Sequence, residues 1–296
     1  MFFTFFFLMS FSLFADQISI TIDDPGIQSL KNYSSTQIND KILLALKNHQ
    51  LKALFFVCGK RVDNSEGKKM LEAMTKAGHL LGNHSYSHLN FNSSAVTLEI
   101  FKEDLNKNIQ FLSKFKNISP YFRFPMLKEG ETAEKREGFR EELQKKGLIN
   151  GQVTIDTSDW FISDHLATKV NDGMKDFTRF KNFYFDHVLD RIKYYDSLGK
   201  QLGFKNIKHT LLIHHNLLNA YFLDELLKKL KEEGHTLISP IDAYADPIFL
   251  RTPHTLPAGE SLIWALAKES GKFEKELRYP GEDGEYLKPE MSKIGL

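Results

Sequence analysis

Asp23 and Asp24 are adjacent carboxylates, and His84 and His88 are imidazoles four residues apart. Two neutral imidazoles and one carboxylate make a three-ligand site for zinc or a similar divalent ion, with a position left open for water. On this reading Asp24, His84 and His88 hold the ion, and the spacing places both rings on one face of a helical turn. Such an ion would polarise a carbonyl oxygen and acidify a bound water. Asp23, beside a ligand but not on the ion, is placed to take the proton from that water as general base. Arg123 offers a planar fork to hold that carboxylate in orientation. His214 offers the acid that a leaving group needs, with Asp159 orienting and raising its imidazolium. Lewis acid, base, acid and orienters are the set for metal-assisted hydrolysis of an amide or ester. His215 adjoins His214, and position in the chain does not say which ring faces the site. His49, His165, His187, His235 and His254 show no comparable pattern and read as structural.

These residues need rigid elements to deliver them. Ile18, Ile20 and Ile22 alternate with Ser19 and Thr21, which predicts a strand ending at the acid pair, where Pro25 and Gly26 turn the chain. Further strands are predicted at 53–58, 79–83, 121–124, 152–155, 209–213 and 235–239. Helical periodicity is read over 36–49, 68–77, 96–115, 183–202 and 223–233, with a charged, exposed helix over 132–146. Strands alternating with helices argue for a parallel sheet. Asp23 and Asp24, His84 and His88, Arg123, Asp156 and Asp159, and His214 and His215 all lie in or just after strands. In parallel α/β folds functional groups gather at the carboxyl ends of strands, so a barrel-like closure that converges those ends is expected.

Composition sets the outer limits. The 296 residues are 42% hydrophobic and 26% charged, as in an ordinary soluble globule, and suffice for one α/β barrel. A net charge of +1 makes no case for nucleic acid or acidic membrane surfaces as partners. The single cysteine, Cys58, reads as a buried, inert thiol and allows no intrachain disulfide. Residues 1–15 are apolar over the length of a signal-peptide core and too short for a transmembrane anchor, although no Lys or Arg precedes the core. Export to the periplasm, cell envelope or medium follows, with cleavage after Ala15.

Five short motifs, in order between Ile18 and Asp246, resemble those of the polysaccharide deacetylases, the NodB-homology domain of carbohydrate esterase family four. Residues 21–24 resemble the first motif, with a base followed by a metal ligand, and residues 84–88 the second, with the metal histidines. Residues 123–125 resemble the third, whose Arg tethers the base and whose loop binds the oxyanion through a backbone N–H, here that of Met126. Residues 156–160 resemble the fourth and residues 212–214 the fifth, which implies that Asp159 tunes His214 as the acid. The resemblance implies an α/β fold, a distorted (β/α)7 barrel, here with a C-terminal extension. The chain departs from the family pattern at Pro25-Gly26, at Met126-Leu127 and at His215.

Residues 1–15 are therefore read as a signal segment, 16–246 as the catalytic domain and 247–296 as an extension packed on the barrel. The expected activity is zinc-dependent removal of acetyl from N-acetylated sugars of peptidoglycan or another surface glycan. A non-catalytic carbohydrate-binding relative and a deacylase of a small amide or acetyl ester are the alternatives. Trp160, Tyr86 and His215, together with Tyr121 and Trp264, are candidates to line the substrate groove.

Overall fold

The isoleucine alternation does make a strand: Gln17–Asp23 is β1, with both faces covered. The computed structural model describes residues 16–27, 33–278 and 283–296, so the expected signal segment lies outside the described residues. After β1 come α1 (Ser35–Asn48), β2 (Leu54–Val57), α2 (Gly59–Val62), α3 (Ser65–Lys76), β3 (Leu80–Asn83), α4 (Leu98–Leu112) and β4 (Ile118–Phe122). Then follow β5 (Lys128–Gly130), α5 (Ala133–Lys145), β6 (Ile149–Asn150), β7 (Ile155–Asp156), α6 (Asp159–Asn171) and α7 (Thr178–Gln201). The chain ends through β8 (Lys208–His214), α8 (Leu217–Glu232), β9 (Thr236–Ile238), α9 (Pro240–Tyr244), β10 (Ala258–Gly259), α10 (Leu262–Ser270) and α11 (Asp283–Lys293).

The main sheet runs β6-β4-β3-β2-β1-β8-β7, with β9 beside the start of β1, and its pairings are parallel. It curls with helices around it into a distorted (β/α) barrel. Its two edges are joined in an economical way. Strands β6 and β7 are opposite ends of one extended stretch, residues 149–156. The first end pairs with β4, and Gly151 N–H donates to Phe122 O at 2.6 Å. The second end pairs with β8, and Thr154 N–H donates to Thr210 O at 3.3 Å. The fifth strand expected over 152–155 is therefore two short pairings, with a middle that belongs to neither.

Caps account for several boundaries that periodicity misplaced. Asn216 accepts from Asn219 N–H, so α8 begins at Leu217, well before 223. The connection between Trp160 and His209 holds two helices, α6 and α7, where one was expected. Helix α5 is less exposed than its charge suggests: Lys135, Arg136, Phe139 and Leu143 are buried. Residues after 246 pack on the same body. β10 pairs antiparallel with β5, α10 lies against α7, and α11 lies against α6.

A cluster of Phe91, Phe101, Phe122, Phe124 and Phe139 sits under the turn that carries Arg123. Phe139 is central, with ring centroids 4.7–5.4 Å from the other four. Truncating such a ring removes apolar contact and leaves a cavity. Phe139→Ala should lower unfolding free energy by about 3–5 kcal/mol, read as a reduced urea midpoint; a loss under about 1 kcal/mol would mean that the cluster is not packed this way.

Candidate active site

β1 delivers Asp23 and Asp24 differently. Asp23 is the last strand residue, whereas Asp24 follows at φ 59, in left-handed backbone. The two carboxylates therefore leave the strand in different directions. Asp23 Oδ1 accepts from Arg123 Nη1 at 2.6 Å, and its Oδ2 lies 3.7 Å from His84 Nε2. Arg123 is 1% exposed and its fork is filled: Nε donates to Gly151 O at 2.8 Å, Nη1 also reaches Thr21 Oγ1 at 3.0 Å, and Nη2 reaches Tyr244 Oη at 3.1 Å. The guanidinium lies 3.9 Å from the Phe56 ring centroid. Arg123 follows β4 and does not lie within it.

His84 and His88 meet without a helix. Residues 84–88 form a loop in which Ser85 and His88 have φ of 58 and 57. The expected helical turn is thus absent, because the loop is pinned from outside. Asp104 Oδ2 accepts from both Tyr86 N–H and Ser87 N–H, and Asn83 Oδ1 accepts from Ser85 N–H and from buried Asn108. The two rings end with centroids 5.1 Å apart. His84 Nδ1 donates to Arg123 O at 2.8 Å, and burial pushes this imidazole down to about 4, so it stays neutral with Nε2 turned to the carboxylates.

One donor atom from each of Asp24, His84 and His88 lies within 4.8 Å of the others. Asp24 Oδ1 is buried without a hydrogen-bond partner, while Oδ2 is 3.3 Å from His88 Nε2 and 3.4 Å from an Arg61 nitrogen. Burial alone would raise Asp24, but the His88 hydrogen bond and the neighbouring cationic groups hold it well below the usual carboxylate range. A buried, unpaired carboxylate oxygen beside two imidazoles fits a divalent ion.

Across the cavity, α6 and α8 build the acid side. Asp159 is fully buried and accepts from His214 Nδ1 at 2.6 Å, His214 N–H at 3.0 Å, Asn216 Nδ2 at 2.9 Å and Asn219 Nδ2 at 2.7 Å. Burial works against the His214 cation, yet the Asp159 charge and hydrogen bond, then Asp23 and Asp24, raise it to about 9. Burial lowers neighbouring His215 to about 4, so the two adjacent histidines carry different charges at neutral pH. Both line a cavity of about 670 Å³, along with Asp23, Asp24, His84, His88, Met126 and Trp160.

Comparison with known proteins gives a family resemblance and a shared fold. A family profile described as polysaccharide deacetylase matches residues 15–141. Over that stretch the chain resembles the polysaccharide deacetylases. It is similar to a peptidoglycan-N-acetylglucosamine deacetylase of Bacillus cereus, with 27% identity over 145 residues, 49% of this chain and 46% of that protein. This chain thus matches about half the length of that relative. In fold it is similar to the peptidoglycan deacetylase PdaC of Bacillus subtilis (22% identity, TM-score 0.53, 78% of this chain and 91% of that one). It is also similar in fold to a carbohydrate esterase family 4 pseudoenzyme of Bacillus anthracis (20% identity, TM-score 0.52, 77% and 65%).

Not every residue expected at the site reaches the cavity. Tyr86 points elsewhere: its hydroxyl donates to Asp63, its ring packs against Phe111, and Lys107 lies over it. Tyr121 stacks on Tyr244, and Trp264 is buried with its indole donating to Arg278 O. Arg61, Lys128, Asp156, Asp164 and Glu260 line the cavity, and none had been given a role. The signal for Asp156 was its place after the fifth strand; for Glu260, far along the chain, sequence carried none. Met126 and Leu127 have φ of 54 and 55, a backbone that costs non-glycine residues about 1–3 kcal/mol each unless neighbours hold it.

His214 sits above its unfolded value of 6.5, so its pairing contributes fully to stability below that pH and is lost as pH rises through about 9. The gap in urea midpoint between the unmodified protein and His214→Gln should therefore narrow across that window. A gap that widens would contradict the pairing.

Proposed function

We propose that this chain is a divalent-ion-dependent deacetylase acting on N-acetylated sugars of a peptidoglycan-like glycan. One observation carries the reading: the Asp24, His84 and His88 donors, the Asp23–Arg123 pair and the His214–Asp159 pair converge around one cavity. Fold alone would not suffice, since a pseudoenzyme shares it.

Asp24, His84 and His88 would hold the ion, and zinc suits two nitrogens and one oxygen. Bound there, it supplies Lewis acidity, polarising an acyl carbonyl and easing deprotonation of a water. The protein's own groups then do the proton work. Arg123 holds Asp23 by Oδ1, which leaves Oδ2 toward the cavity to accept the water's proton. The oxygen that gains charge as the acyl carbon becomes tetrahedral is stabilised by the Met126 N–H. His214, oriented through Nδ1 and cationic at neutral pH, protonates the departing amine as the C–N bond breaks. Acetate and a free amino sugar are the products. His215, buried and neutral, cannot supply that proton and serves as cavity wall. Trp160 is 44% exposed on the wall and offers an apolar face for a sugar ring.

The similarity to a protein named for peptidoglycan supports a wall glycan as substrate and action outside the cytoplasm. The apolar residues 1–15 support export. Among the described residues no helix is long and apolar enough to cross a membrane. N-terminal sequencing of the natural protein should find a start near Asp16; Met1 retained on the working enzyme would refute export by cleavage.

Acetate release from acetylated glycans should stop with chelator and return with added ion. Asp23→Asn should keep its ion, measured by elemental analysis, while kcat falls roughly 10²–10⁴-fold. Asp24→Asn should instead lower ion content. Full activity in the first variant, or an unchanged ion in the second, would sink the assignment.

A further inference from the structure

We propose that the C-terminal segment 253–260 is a clamp that positions Met126, and so completes the acyl-binding wall; this rests on the deacetylase reading above. The segment lies outside the 15–141 stretch that carries the family match. Its backbone is fastened at one end by α5: Arg136 donates to His254 O at 2.6 Å and Thr255 O at 3.3 Å, and Arg140 donates to Pro253 O at 2.8 Å. Both arginines are partly or wholly withdrawn from solvent, and Arg140 is braced by buried Glu129, which also accepts from Asn150. At the other end Leu262 N–H donates to Val153 O at 2.7 Å, in the stretch that bridges the sheet edges.

Between these anchors the segment grips the turn after Pro125. Glu260 N–H donates to Leu127 O at 2.8 Å, and Gly259 pairs with Lys128. The Glu260 carboxylate forms an ion pair with Lys128 Nζ, and both side chains line the cavity. Gly259 is required by close approach. A Cβ there would stand 1.9 Å from Leu127 O, and its φ is +124. The grip thus falls on Leu127 and Lys128, directly after Met126, and both Met126 and Leu127 have a left-handed backbone that needs outside support. Leu127 N–H, in the peptide that links it to Met126, is held by Phe124 O at 3.0 Å, and Leu127 O, in the next peptide, is held from the tail, so Leu127 is fixed on both sides and restrains Met126 before it. Lys128 and Glu260 are positioning residues on this account. They act on an N–H whose value depends on where it points.

The test uses the full chain with its ion. Gly259→Ala pushes Leu127 O away, and Lys128→Met and Glu260→Gln each remove only the ion pair. Each should lower kcat by roughly 10–100-fold with KM within about twofold and ion content unchanged, because a misplaced donor stabilises the transition state less. The reversed pair, Lys128→Glu with Glu260→Lys, should recover part of the lost kcat. A readout independent of turnover is the ¹³C-methyl signal of Met126 in methionine-labelled protein, assigned with Met126→Leu. It should shift in all three single variants while the His84 and His88 ring signals stay in place. If the variants fold, keep their kcat and leave the Met126 signal unmoved, the clamp is wrong. If KM rises with kcat unchanged, Lys128 and Glu260 bind substrate and do not position the turn. If the unmodified protein releases no acetate from any glycan, the deacetylase reading fails, and the Met126 signal still decides the clamp.

Discussion

The buried ion pair between Arg123 and Asp23 constrains everything around it. A charge removed from water must find its solvation within the protein, and breaking such a pair by removing one partner typically costs about 3–5 kcal/mol. Arg123 meets that demand by drawing on distant parts of the chain: Thr21 and Asp23 in β1, Gly151 in the bridging stretch, Tyr244 at the end of α9, and the face of Phe56 in β2. Its own carbonyl then orients His84, and its N–H returns to Asn83 O at 2.8 Å. The groups proposed as base tether, base and first histidine ligand are one hydrogen-bonded unit. The phenylalanine cluster beneath the turn gives that unit a floor that resists displacement.

Two ionic environments face each other across the cavity, and they are coupled. On one side Asp23 and Asp24 lie among Arg123, His84, His88 and Arg61. On the other, Asp159 spends its acceptor capacity on His214, Asn216 and Asn219. The carboxylates of the first side add to Asp159 in holding His214 cationic, so its proton affinity depends on Asp23 and Asp24 being charged. A division in which one titratable group is kept anionic and another cationic within one cavity is how acid and base chemistry coexist near neutral pH. Burial lowers both imidazoles; at His214 the Asp159 charge and hydrogen bond outweigh it, whereas at His215 the pull of Asp24 does not.

The tail adds a third layer. Residues near 258–260 approach the site only because α5 presents two arginines to backbone carbonyls and β5 offers an edge to pair with. Glu260 enters the cavity wall from more than 130 residues beyond Lys128, its ion-pair partner. No local pattern announces such a contact. It depends on where β5, outside the main sheet, presents an edge to β10.

Much of the proposed site was legible in the chain because its groups sit at strand ends, and strand ends are local. The isoleucine alternation ending in Asp23 and Asp24, the His84 and His88 pair, Arg123 before Pro125, Asp159 before Trp160 and His214 after an apolar run each declare a type and a place. Alternation of strand and helix then foretold the parallel barrel. What local pattern could not hold was direction. Asp104 and Asn83 bend residues 84–88 into a left-handed loop where spacing suggested a helical turn, because backbone hydrogen bonds to a distant carboxylate and to the preceding amide outweigh helical propensity over so few residues. Tyr86 turns to Asp63 for the same reason. One stretch, 149–156, joins both edges of the sheet, and that closure exists only once β4 and β8 are in place. Residue types and their order come from the sequence alone; orientation, charge state and the docking of the tail come from long-range packing, which sets the dielectric and the partners that each group meets.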